Sequence, residues 1–209
     1  EKEVAMHFKT FQSVFPYTMG WLPVANEILI IGSNEPIKID FHKLNKRLQE
    51  PEIKKDLSNI KITNIFSFLS NIWLLNEQVI KLGKGATLIT DNHPAIEFYL
   101  NLGDVIGLTG QERYVFNRSR FDDVVKQISN LSEENRQKFK PYFRAMDLYQ
   151  RGVMYGNRGQ LLQAMTLLED DDLFRYHLQA SRIQMQRLTQ LVAEEPDNLK
   201  YLLNLAHSF

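Results

Sequence analysis

The stretch EILIIGS, residues 27 to 33, constrains this chain more than any other. Ile28, Leu29, Ile30 and Ile31 follow one another with no polar side chain to offer to water. A short unbroken apolar run of β-branched character bounded by turn residues reads as a strand covered on both faces, and such strands belong to sheets flanked by helices. YTMGWL, residues 17 to 22, supplies a partner strand, Pro23 to Asn26 a turn, and Gly32, Asn34 and Pro36 a stop. An isolated two-stranded hairpin is marginal in water. The only other extended piece in sight is ATLIT, residues 86 to 90. The sheet's neighbours are therefore expected outside this chain, N-terminal to Glu1 in a longer protein, unless helices on either side cover the hairpin. EKEVAMHFKTF, with Val4, Phe8 and Phe11 at helical spacing from the first turn, reads as a chain that begins inside such an element.

Most of the remainder reads as helix. A first helix, residues 1 to 15, is stopped by Pro16, which forces its predecessor extended. Helical patterns follow over 40 to 49, 51 to 58 and 63 to 82, the last with a break near Asn76 and an end at Gly83 and Gly85. Pro94 opens a helix that Gly103 closes, and residues 104 to 117 are irregular. From 118 the pattern is helical throughout, over 118 to 130, 133 to 157, 159 to 168, 171 to 194 and 197 to the end. The fold class expected is α+β, mostly α-helical, with a short antiparallel hairpin, divided into residues 1 to 117 and a helical region 118 to 209.

Composition removes several functions. Lys and Arg total 25 against 25 Asp and Glu, and a chain of zero net charge lacks the basic stripe that grips nucleic acid. The absence of Cys excludes disulfide scaffolds, thiolate metal sites and cysteine nucleophiles. No apolar run reaches the ~20 residues that span a bilayer, and the charged opening is unlike a signal peptide. The five His show no paired spacing for zinc, and no GxSxG elbow occurs.

Helix, FPYTMGW, turn, EILIIGSNEP is an order that resembles the end of the catalytic domain in spermidine synthase-like proteins, the polyamine aminopropyltransferases. LITDNHPAIEFYL, residues 88 to 100, is similar to the acidic segment that follows in bacterial members, some of them fused to a membrane-transporter-like region. The resemblance covers roughly residues 4 to 101. It implies a hairpin ending a methyltransferase-like Rossmann sheet, a cytoplasmic location, and a parent enzyme using decarboxylated S-adenosylmethionine. It implies amine-binding aromatic walls at Tyr17 and Trp21, since ring faces receive a desolvated cation well. Thr90, Asp91, Asn92, Pro94 and Glu97 carry the family motif, with Asn92 where members have a second Asp. No GxGxG turn stands among the ten Gly, and the family's catalytic Asp falls upstream of the match. The piece is thus expected to bind no cofactor itself, to be inactive alone, and to complete the sheet and pocket of its parent's N-terminal part.

Two further segments invite a choice. TDNHP, residues 90 to 94, has ligand-type side chains, but Asp or Asn before Pro with Glu97 in the first turn is helix-start chemistry. EDDD, residues 169 to 172, lacks calcium-loop alternation and reads as a cap for the helix beginning near Leu173. In the tail, Gly152, Tyr155, Gly159 and Ala164 resemble the small-residue positions of a tetratricopeptide helix pair, with a second start at EEPDNLKYLLNLAHSF. Gly152 to Ala206 exceeds the repeat period of about 34 residues. A helix with Phe174, Leu178, Met185, Leu188 and Val192 on one face fills the difference. The rival function is then a protein-interaction module working through this tail. An open edge beside Ile28 to Ile31 also invites a second copy, hence a homodimer.

Overall fold

The computed structural model describes residues 2–24, 27–91, 118–155 and 158–168, with scattered positions between 171 and 198. The chain is α+β and mostly helical, and among the described residues there are a three-stranded antiparallel sheet and a two-stranded parallel sheet. Helix α1 (Lys2–Val14) leads into strands β1 (Tyr17–Val24) and β2 (Glu27–Ser33). A short β3 (Ile39–Asp40) precedes α2 (Phe41–Leu48), α3 (Pro51–Asn59) and α4 (Ile65–Leu69). Strand β4 (Ile72–Leu74) and α5 (Asn76–Gly83) follow. Then come α6 (Phe121–Lys126), β5 (Ile128–Ser129), α7 (Glu133–Tyr155) and α8 (Arg158–Leu167).

The hairpin acquires a neighbour from this same chain. Sheet order is β2-β1-β4, with β1 central, Tyr17 opposite Ser33 and Trp21 opposite both Leu29 and Ile72. This corrects the helix expected over 63 to 82 with a break near Asn76, since the helix ends earlier and a strand intervenes. Asn64 starts α4 with a reciprocal cap, its Oδ1 accepting from the Ser67 amide while Ser67 Oγ receives the Asn64 amide. The helix lasts five residues. The chain then turns at Ser70 and Asn71, whose carbonyl accepts from the Leu22 amide at 2.8 Å, and Ile72, Trp73 and Leu74 run on as a buried strand. The helix expected over 118 to 130 is likewise shorter, because β5 pairs in parallel with β3 after α6. Of the ATLIT piece only Thr90 makes a strand-like bridge. The helix expected over 94 to 103 lies outside the described residues, as do all but Asn198 of that over 197 to 209 and most of that over 171 to 194.

Two apolar clusters sandwich β1. On one face Phe8, Leu22, Trp73, Leu74 and Val79 join α1 and α5, with Ile28 and Ile30 packed against them. On the other, Met19, Trp21 and Ile72 meet Phe41, Ile65, Leu69, Val124, Phe139 and Phe143. That cluster draws on residues from both sides of position 118. Strand β2 is covered on its α1 face only. Leu29 and Ile31 remain 51% and 43% exposed, so the run expected to be buried on both faces alternates instead.

Helices α7 and α8 form a tight hairpin around Ala145, Met146, Tyr149 and Ala164. A Cβ on Gly152 would lie 2.6 Å from Leu161 Cγ and 2.9 Å from its backbone nitrogen, so glycine sets the approach the small-residue spacing anticipated. Replacing it with Ala gains up to about 1 kcal/mol of helix preference but overpacks the contact by about 1–3 kcal/mol. We expect Gly152→Ala to lower stability in urea unfolding, and an equal or higher midpoint would refute the close approach.

Candidate functional site

A groove of about 340 Å³ opens where β1 begins. Its walls are Tyr17 to Met19 of β1, Pro36 and Ile37 of the following loop, Leu75 to Gln78 at the start of α5, and Asp123, Lys126 and Gln127 around α6. Tertiary hydrogen bonds tie these walls together. Leu75, at the cap position of α5, has no side-chain group to offer its helix. Ser119 holds it instead, its Oγ accepting from the Leu75 amide at 2.8 Å and donating to Gln78 Oε1 at 3.1 Å. Asn76 Oδ1 accepts from the Thr18 amide at 2.9 Å, binding α5 to β1.

The charged groups are Glu77, Asp123 and Lys126. Lys126 Nζ lies 2.9 Å from Asp123 Oδ1. That hydrogen bond holds Asp123 below the usual carboxylate range against the small opposing effect of burial, with help from Lys126, Arg120 and Lys81 as nearby positive charges. With an aromatic ring, apolar side chains and two carboxylates, the groove suits a small molecule carrying an amine.

What anchors the α6 wall is a buried charge. Arg118 is 9% exposed. Its guanidinium donates to the Ser70 carbonyl and, at 3.1 Å, to Gln150 Oε1, and lies 4.1 Å from the Phe143 ring centroid. Its Nε has no hydrogen-bond partner. Burial pulls its pKa down to about 10, the Asp147 carboxylate partly opposing and Arg151 adding to the shift. Gln150 Nε2 in turn donates to the Leu22 carbonyl at 2.9 Å. The Ser119 amide donates to the Trp73 carbonyl at 2.8 Å, so the segment that carries the groove wall also closes the outer side of β4.

The residues singled out in the sequence separate. Tyr17 lines the groove. Trp21 does not: it is 7% exposed, its ring packs 5.1 Å from that of Phe68, and its Nε1 donates to the Phe68 carbonyl at 3.1 Å. Thr90 and Asp91 are exposed, after an Ile89 amide that donates to Thr10 Oγ1 at 2.8 Å. Asn92, Pro94 and Glu97 lie outside the described residues. Within EDDD, only Asp171 is described; it is buried, and its carbonyl accepts from the Arg175 amide at 3.0 Å, as at the start of a helical turn. Glu77, Gln78, Asp123 and Lys126 went unremarked in the sequence. Only the Asp123/Lys126 spacing of three on a helix could have flagged them.

No family model, curated protein or solved structure matches the chain. Among the described residues no helix is long and apolar enough to cross a membrane, and no group of three or more His, Asp or Glu could hold a metal ion.

The Arg118 anchor is testable. Gln150→Leu keeps the volume but leaves the Leu22 carbonyl and an Arg118 Nη group without partners. Stranding a buried carbonyl and part of a buried charge is expected to remove about 2–4 kcal/mol in urea unfolding. A loss under about 0.5 kcal/mol, the range of neutral surface changes, would show that the node is dispensable.

Proposed function

We propose that this chain is the C-terminal segment of a spermidine synthase-like protein, working in the cytoplasm to complete the sheet and the amine pocket of an aminopropyltransferase-like enzyme. The observation that carries this reading is the continuity between groove and sheet edge. Tyr17 and Met19 line the groove and are opposite Ser33 and Ile31 of β2. On that same face Leu29 and Ile31 stand exposed, and beyond β2 the sheet has no further strand among the described residues. A strand from the parent's N-terminal part, added beside β2, would set its own side chains against the flanks of both and extend the groove's wall.

In this reading the Tyr17 ring and the Glu77 and Asp123 carboxylates receive the amine, while decarboxylated S-adenosylmethionine and the catalytic Asp belong to the parent's other part. Trp21 is a core residue here. The homodimer expected from the sequence would use the same β2 edge and so competes with the parent's strand. Sedimentation at rising concentration separates the two, since only self-pairing adds mass without the parent.

The purified chain, given putrescine and decarboxylated S-adenosylmethionine, is expected to show no turnover but to bind spermidine weakly, with Tyr17→Ala reducing affinity roughly fivefold, about one exposed cation–π contact. Because Asp123 sits below the ordinary carboxylate range, in Glu77→Gln acidification should spare binding through that range and weaken it as Asp123 itself protonates. Turnover by the chain alone, or no binding by calorimetry, would refute the proposal.

A second reading has its own observation. Leu162 and Leu167 of α8 are 49% and 38% exposed on a hairpin whose tight packing resembles a repeat unit, and a protein partner could dock there. Deleting residues 133 to 209 would not test this, because Phe139 and Phe143 belong to the central cluster. Leu162→Glu with Leu167→Glu is the appropriate variant; a partner retained by it on pull-down would count against the tail.

A further inference from the structure

Of the three carboxamides that line the groove, those of Asn76, Gln78 and Gln127, the first two have their oxygens turned to the protein. The Thr18 amide can only donate, so Asn76 must present Oδ1 to it at 2.9 Å. The Ser119 hydroxyl accepts from the Leu75 amide at 2.8 Å and has its proton left for Gln78 Oε1 at 3.1 Å. With each oxygen turned toward its protein donor, the groups that Asn76 and Gln78 have wholly available for a ligand are their NH2 groups, each oxygen keeping one lone pair. Those groups, together with the Lys126 ammonium, make a set of donors beside the Glu77 and Asp123 carboxylates.

A fully protonated diamine has donors alone. Placed against two carboxamide NH2 groups it leaves them unpaired once water is displaced, and sites with unpaired buried polar groups reject such ligands. A molecule with an ammonium for the carboxylates and an acceptor for the carboxamides satisfies both sets. Ser119 does not line the groove, yet it decides which atom of Gln78 the ligand meets. Without its hydroxyl the amide is free to flip and turn Oε1 inward, which favours an ammonium.

We propose that Ser119 is a positioning residue that sets the specificity of this groove, and that the groove takes a small molecule bearing both an ammonium group and a hydrogen-bond acceptor, such as a carboxylate or carboxamide, in preference to a diamine. This rests on the amine-pocket reading above and deepens it.

The test compares 4-aminobutanoate with 1,4-diaminobutane, which share a four-carbon spacing, in NMR titrations of the wild-type chain, Ser119→Ala and Ser119→Thr. Wild type should prefer the amino acid roughly fivefold, the value of one net hydrogen bond. Ser119→Ala should erase that preference and shift the Gln78 side-chain NH2 resonances, and Ser119→Thr should restore both. A preference for the diamine in wild type, or one that Ser119→Ala leaves intact, would overturn the assignment while leaving an amine pocket standing. If neither compound binds, the amine pocket itself falls. Ser119 is then judged by the Gln78 resonances and by exchange of the Leu75 amide, either of which, unchanged in Ser119→Ala, overturns its positioning role.

Discussion

A full positive charge stands in the interior of this protein, and the arrangement around Arg118 follows from the need to compensate it. Removing a guanidinium from water costs several kcal/mol, recovered only by well-placed partners. Among the described residues none of its hydrogen-bond partners is a carboxylate. The compensation is shared by the Ser70 carbonyl at the end of α4, the Gln150 amide on α7 and the face of Phe143. Those groups come from separate parts of the chain, so the guanidinium is stable only when α4, α7 and the segment leading to α6 are already assembled. Gln150 passes the constraint on to β1 through the Leu22 carbonyl. The sheet and the long helix are in this way held in one register by a chain of polar contacts inside an otherwise apolar core.

The same segment connects that interior charge to the groove. Arg118 faces the core, while the next residue, Ser119, binds the Trp73 carbonyl, the Leu75 amide and the Gln78 side chain. Trp73 in β4, Leu75 at the cap of α5 and Gln78 within α5 are thus tied together by one residue more than forty positions away in sequence. This is why α5 can begin at a leucine cap without a side-chain acceptor.

How much of this could be read from the sequence depended on the range of the interactions. The hairpin was legible because its signals are local, β-branched and aromatic runs on either side of a short break, although β1 runs on through Pro23, which the sequence pattern places in the turn. Helix α1 and the α7–α8 pair were legible for the same reason, and Gly152 carried real information about closeness. Strand β4 was not legible, since Ile65, Leu69, Ile72 and Trp73 fall at helical spacing, and only pairing with β1 tells the last two otherwise. Trp21 and Tyr17 look alike in a strand pattern, yet the burial of one and the placement of the other on a groove depend on Phe68 and on α5 and α6. Arg118 gave no sign of its burial, because a lone arginine after an irregular stretch is ordinarily a surface residue.

Strand β2 shows how an edge can be both stable and open. Its α1 face is pinned: a Cβ on Gly32 would lie 2.4 Å from Phe11 and 2.6 Å from Phe15, and Ile28 and Ile30 pack on the cluster beneath α1 and α5. A slip of one residue would drive Leu29 and Ile31 into that cluster and a bulkier side chain into the space Gly32 leaves, so the register is strongly specified. The strand is thus held in its paired geometry by one face alone, and its other face is left apolar and free. An incoming strand would meet a template whose backbone is already ordered, which removes much of the entropic cost of adding a strand to a sheet. Edge strands that are not meant to be paired are ordinarily guarded by charge, proline or a bulge. Between Ile28 and Ser33 this one has no charged residue and no proline, and its register with β1 is regular from Tyr17 to Trp21.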